Sequence, residues 1–140
     1  MDQISLIPIR VRYAETDQMG VVYHANYLVW CDMARTEHLR RAGLHYRDLE
    51  AAGTFLVVTE AGLRFRRPAR FDDELTVRCW VRGVASRRVD FGYAIERPAD
   101  DALLATAHTT LMALDGTHAP IRLAEDVRQA LRPVADPVRL

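Results

Sequence analysis

The chain has 140 residues, with 19 arginines, no lysine and 19 acidic residues, so its formal charge is zero and a simple basic nucleic-acid binder is excluded. Apolar residues make up 49% and charged residues 27%, the mix of one soluble domain, and a chain of this size buries about two-thirds of its unfolded surface around a single core. Apolar runs of about five residues fall far short of the roughly 18 to 20 that a membrane span needs, and the first ten residues lack a signal-peptide pattern, so a cytoplasmic location is expected.

The first element alternates. Ile7, Ile9, Val11 and Tyr13 share one face and Arg10 and Arg12 the other, which predicts a half-buried strand over about 6–13. Over about 25–42 the period changes. Tyr27, Leu28, Val29, Trp30, Cys31, Met33 and Ala34 cover nearly every direction of a helical wheel, which predicts a buried helix. Charges at Asp32, Arg35, Arg40 and Arg41 suggest that it emerges towards solvent before Gly43, a stop signal. A short helical turn is expected near 45–52.

Four strands should follow, at about 55–67, 74–83, 87–97 and 102–114. In the second of these Leu75, Val77, Cys79 and Val81 oppose Thr76, Arg78, Trp80 and Arg82; in the next, Val89, Phe91, Tyr93 and Ile95 share a face. Turn chemistry at 68–73, 83–86 and 98–101 predicts hairpin-linked antiparallel pairing, and Asp115-Gly116 ends the last strand. Leu123, Val127, Ala130 and Leu131 form a stripe for a short closing helix before Pro133, and the tail 133–140 is expected to be loosely ordered.

One domain of class α+β follows, spanning 1–140 with its core at about 6–132. One helix cannot cover a five-stranded sheet on both sides, so exposed edges predict a dimer or larger assembly. Cys31 and Cys79 have no CxxC or Cys/His ladder around them, which argues against a disulfide framework or zinc site and for two small core residues. With arginine as the sole strong cation, the surface holds paired donors suited to phosphate oxygens.

Chemistry concentrates between the first strand and the long helix, in Tyr13-Ala-Glu-Thr-Asp17-Gln-Met-Gly20-Val-Val-Tyr23-His24-Ala-Asn26-Tyr27. The first N–H groups of a helix are unpaired and lie at the positive end of its dipole, ready to stabilise an oxyanion. Gly20 permits close backbone approach, and Asp17 supplies a base or nucleophile. Each residue also has a structural use: Asp17 can satisfy loop amides, His24 and Asn26 can cap the helix, and Tyr13 and Tyr23 can be core aromatics.

The run from Tyr13 to Arg40, YAETDQMGVVYHANYLVWCDMARTEHLR, resembles the opening of hotdog-fold acyl-CoA thioesterases of the 4-hydroxybenzoyl-CoA thioesterase and YbgC type. The likeness continues through Pro68-Ala69-Arg70-Phe71-Asp72-Asp73-Glu74-Leu75 and covers about residues 8–125. It implies a five-stranded antiparallel sheet wrapped around one long central helix. It implies that Asp17 is the catalytic carboxylate, attacking the thioester or activating water, with Tyr13 and His24 lining the site and backbone N–H groups around Gly20, Tyr23 and His24 polarising the carbonyl.

The resemblance further implies a homodimer joined sheet edge to sheet edge, or a homotetramer, with Val58, Thr59 and Glu60 walling the opposite protomer's site. Arg87 and Arg88, with Arg66 and Arg67 behind them, are the candidates for coenzyme A phosphates. The implied reaction hydrolyses a short aliphatic or aromatic acyl-CoA, such as a hydroxybenzoyl thioester, and needs no metal or cofactor, nucleic acid or membrane. A hotdog hydratase or dehydratase using His24 with Asp17, and a non-catalytic acyl-CoA-binding oligomer, are the rival readings.

Overall fold

Alternation does build the first strand, β1 (Ile4–Arg10), in the computed structural model, which describes residues 3–140. Ile9 is buried and Ile7 half-buried on the expected face, but the strand stops earlier than the pattern suggests. Tyr13–Glu15 instead forms a 3-10 turn, because the Glu15 carboxylate accepts the Arg12 N–H at 2.8 Å and folds the chain over. Tyr13 is therefore 76% exposed, lying against Phe71 at 5.5 Å between ring centroids rather than in the core.

The long helix α1 spans Ala25–Arg41 and the short α2 Tyr46–Ala51. Gly43, at φ +84°, closes α1 in a left-handed conformation while the Leu44 N–H reaches back to the Leu39 carbonyl at 2.8 Å. The buried side chains of α1 are Tyr27, Trp30, Cys31, Ala34, Arg35, His38 and Leu39, a stripe at helical spacing along one face. Burial on every side, as the apolar wheel suggested, is not found: Leu28, Val29 and Met33 are exposed on the opposite face.

Nor does the helix emerge at Arg35, whose side chain lies beneath it. Its guanidinium donates to the hydroxyls of Tyr46 (2.8 Å) and Tyr93 (3.1 Å) and pairs with Asp32, and the Tyr93 and Thr109 hydroxyls share a hydrogen bond at 2.7 Å. A cation so fully supplied with acceptors can occupy a core position.

The remaining strands are β2 (Phe55–Phe65), β3 (Glu74–Val84), β4 (Arg88–Arg97) and β5 (Ala102–Leu114), all antiparallel to their neighbours in the order β1-β3-β4-β5-β2. The links from β3 to β4 and from β4 to β5 are the expected hairpins. The link over 66–73 is not one. β2 pairs with the far side of β5, in register from Phe55 opposite Leu114 to Phe65 opposite Ala105 with a bulge at Thr59, so the chain must cross the sheet end to reach β3. It passes beneath the start of α1, where the Ala69 N–H donates to the Tyr27 hydroxyl at 3.1 Å and the Ala69 carbonyl accepts the Val22 N–H at 2.9 Å.

Helix α1 packs on the face of the sheet formed by Leu75, Val77, Cys79, Val81, Val89, Phe91, Tyr93 and Ile95, all buried as the alternation requires. Cys31 and Cys79 are buried free thiols; burial pushes Cys31 up to about 12, in keeping with an inert core residue. A five-stranded antiparallel sheet with one long helix across it is the hotdog fold.

The tail is ordered, against expectation. After α3 (Glu125–Ala130), Pro133 bridges to Val81, the Val134 N–H donates to the Val81 carbonyl at 3.0 Å, and the Asp136 carboxylate accepts from the Trp80 indole (2.9 Å) and from Arg82. Trp80 lies on the face of the sheet opposite α1, yet it is fully buried there. Among the described residues no helix is long and apolar enough to cross a membrane.

Candidate active site

Glu15, a residue the motif analysis passed over, organises the loop before α1. One carboxylate oxygen takes the Arg12 N–H and the other the Trp30 indole N–H at 2.8 Å. Its backbone carbonyl accepts the Tyr23 N–H at 2.8 Å and the Asn26 side-chain amide at 2.9 Å. Burial alone would push the Glu15 carboxyl up, but the bonds from Arg12 and Trp30 outweigh it and hold the group below the ordinary carboxylate range. Nothing in the sequence separates this glutamate from a solvated loop residue, because its partners come from a strand end and a helix turn.

Within the loop so tied, the Asp17 N–H donates to the Val21 carbonyl at 2.9 Å, and the Gly20 N–H to the Asp17 carbonyl at 3.0 Å with Gly20 at φ +80°. The amides of Gly20 and Tyr23 are thus already engaged, which removes two of the three expected oxyanion donors. The N–H groups of His24 and Ala25, at the start of α1, meet no acceptor among the described residues. Neither His24 nor Asn26 caps the helix through its side chain.

Asp17 and His24 line a common cleft of about 330 Å³ with Val21, Val22 and Tyr27. Its other wall comes from the crossing segment: Phe65, Arg66, Arg67 and Pro68. The volume is at the lower end of the range, about 300 to 1,000 Å³, in which small-molecule sites fall. Phe65 stands edge-on to Tyr27 at 5.1 Å between centroids, giving the cleft an apolar floor. Asp17 is half-buried; one carboxylate oxygen accepts the Met19 N–H at 2.9 Å, its structural use, while the other meets no donor among the described residues.

The remaining candidates lie elsewhere. Tyr13 does not line the cleft, and Tyr23 is 48% exposed beside the His24 ring, so neither is a core aromatic. Val58, Thr59 and Glu60 sit exposed on β2, one of the two edge strands, away from this protomer's own cleft. Arg87, in the β3–β4 turn, and Arg88, the first residue of β4, lie beside Ala113 and Met112, at the opposite end of β5 from Ala105, which pairs with Phe65 at the cleft. Of the four basic candidates, Arg66 and Arg67 reach the cleft within one protomer. No cluster of metal-ligating side chains occurs among the described residues.

Unpaired amides at a helix start, a carboxylate with one open oxygen and an adjoining apolar wall are the parts an acyl-transfer hydrolase needs. The Thioesterase-like superfamily model matches residues 11–131, and the chain belongs to that family. The chain is 33% identical over 108 residues to the acyl-CoA thioester hydrolase YbgC of Escherichia coli O157:H7, covering 77% of this chain and 80% of the relative. Among solved structures it is similar to the protein TT1821 of Thermus thermophilus, with TM-score 0.85 and 45% identity over 91% of this chain and 96% of that one. It is also similar to the DHNA-CoA thioesterase of Staphylococcus aureus, with TM-score 0.82 and 33% identity over 86% and 80%. The chain is a thioester hydrolase.

Proposed function

We propose that the chain hydrolyses an acyl-CoA thioester to the free acid and coenzyme A, with Asp17 as the essential carboxylate. The observation that carries the reading is the single cleft shared by Asp17 and the start of α1 at His24. The thioester carbonyl oxygen is taken by the His24 and Ala25 N–H groups. The open oxygen of Asp17 either removes a proton from water as that water attacks the carbonyl carbon, or attacks it directly and gives an anhydride that water then opens. In both routes the C–S bond breaks and the coenzyme leaves as its thiolate. A thiolate leaves readily without strong acid assistance, which suits a site with one carboxylate, and neither route calls on a metal or cofactor.

A general base contributes about 10²- to 10⁴-fold and one oxyanion donor about 3 to 4 kcal/mol, so the two act together. A second copy of the chain joined along β2 brings its Val58, Thr59 and Glu60 to the open side of the cleft; the exposure of all three on an edge strand supports this. Tyr13, exposed on the loop, belongs to the same reading only if that copy covers it.

The test is thiol release from a panel of aliphatic and aromatic acyl-CoAs. Release by the wild type and a fall in kcat of at least about 10²-fold in Asp17→Asn are expected. His24→Ala, which keeps its backbone N–H, should lose less. Wild-type turnover in Asp17→Asn removes the carboxylate from the mechanism, and new enoyl absorbance without thiol release replaces hydrolysis by a dehydration.

A further inference from the structure

The sheet face turned away from α1 holds polar groups that the chemistry at Asp17 does not use. Register sets Arg64 opposite Thr106 and Thr106 opposite Ala94; in the next row Gly62 lies opposite His108 and His108 opposite Gly92. Alternation turns Ala105 and Ala107 into the core, so Thr106 and His108 point to the outer face, the one that the segment 133–140 crosses. Two glycines let aromatic rings lie flat there. A Cβ at Gly92 would stand 2.5 Å from the Trp80 ring, and one at Gly62 would stand 2.2 Å from His108 Cε1.

Over these rings the segment is held by the bond from Val134 to Val81 and by Asp136, which bonds Trp80 and Arg82. Beyond Asp136 its backbone makes no bond to other backbone groups among the described residues. Leu140 closes a cavity of about 110 Å³ bordered by Gly62, Arg64, Thr106 and His108. Thr106 is 1% exposed, and its hydroxyl is the one buried side-chain polar group among the described residues that has no hydrogen-bond partner. Buried polar groups are partnered in folded proteins, so an orphaned hydroxyl at a cavity wall points to a group from outside the chain.

The walls set the chemistry of that group. A water's share of the liquid is about 30 Å³, so the space takes about three or four waters or one molecule of as many heavy atoms. The Arg64 guanidinium only donates, the hydroxyl and the imidazole can each donate, and no carboxylate borders the space, so the charge it favours is negative. A short carboxylate offers one oxygen to the guanidinium and the other to Thr106 and His108, and its methyl group meets Leu140.

We infer that Arg64, Thr106 and His108 bind a short monocarboxylate of the acetate class on the outer face of the sheet, beneath residue 140. The Thr106 hydroxyl is shielded while the cavity is closed, so the ligand gets in as Leu140 lifts, which the absence of backbone bonds beyond Asp136 allows. The site lies across the sheet from α1 and does not depend on hydrolysis at Asp17.

NMR titration of the full chain with sodium acetate, beside sodium chloride of equal ionic strength, tests this through the imidazole resonances of His108. A saturable shift in the millimolar range is expected, the strength open to a ligand of so few atoms. Thr106→Val and Arg64→Gln should each weaken acetate by about 10-fold. Because the Thr106 hydroxyl has no partner within the chain, Thr106→Val without acetate should unfold at the same urea concentration as the wild type or a higher one. A lower midpoint would mean that the hydroxyl is already satisfied, which removes the ground for the site. No saturable shift at His108, or one that both variants leave unchanged, overturns the inference. A shift confined to His24 places acetate in the Asp17 cleft and overturns it as well, and chloride binding as tightly as acetate overturns the carboxylate assignment.

Discussion

Replacing Glu15 by Gln tests whether the active loop is organised by one buried carboxylate. The wild-type side chain is 5% exposed and accepts from two donors that nothing else serves, the Arg12 N–H and the Trp30 indole. Glutamine is nearly the same size, so packing survives, but it presents one oxygen and one NH₂. Whichever way the amide turns, one donor faces another donor across a contact that was 2.8 Å. The loss of one charge-assisted bond, about 1.5 to 3 kcal/mol, together with an unsatisfied buried donor at about 1 to 3 kcal/mol, gives about 2 to 4 kcal/mol after partial relaxation. For a chain of this length that is a fall of roughly 6 to 12 °C in Tm.

Urea unfolding at pH 7 measures it, and repeating the series in acid adds a second reading. The Glu15 carboxyl is held below its unfolded value near 4.5, so its stabilisation is complete above that pH and is lost as pH falls through the lower, folded value. The variant should lack that part of the acid limb. A cost under about 0.5 kcal/mol with an unchanged acid limb would refute the argument that this carboxylate ties the loop to α1.

Other perturbations have equally definite outcomes. Gly92→Ala forces the fully buried Trp80 ring away from its seat and should cost about 1 to 3 kcal/mol in chemical denaturation, whereas a cost near zero would mean that the tail and indole are not packed as described. His38 is buried with its Nδ1 2.7 Å from the Ser5 hydroxyl. Burial, then Arg41, hold it below its ordinary value, against a weaker opposing bond to the Cys79 backbone. Stability should therefore be full above about pH 6.5 and decline below it by up to about 1.4 kcal/mol per pH unit, a slope that His38→Gln should flatten. Arg66→Ala with Arg67→Ala should raise KM for acyl-CoA by about 10-fold or more and leave pantetheine thioesters unaffected. An equal rise with both substrates would contradict phosphate binding there. A comparable, coenzyme-dependent effect from Arg87→Ala with Arg88→Ala would mean that a partner's β3–β4 turn reaches the site.

Local regularities made the architecture legible. Period-two alternation in 74–82 and 89–95 depends only on which neighbours share a sheet face, and the left-handed turn at Gly43 follows from its missing side chain, so strands, helix stop and hairpins can be read from the chain. The loop carrying Asp17 and His24 was likewise visible, because a carboxylate, a glycine and a helix start fall within eight residues. Composition and periodicity say nothing, however, about which distant segments meet. That 66–73 crosses the sheet end rather than turning back is a matter of strand order, and it decides that Arg66 and Arg67, not Arg87 and Arg88, stand beside Asp17 within one protomer. Arg35 and Glu15 look like surface charges until Tyr46, Tyr93, Arg12 and Trp30 arrive from other elements to satisfy them. A charge can be buried only with its partners in place, and those partners are supplied by the fold.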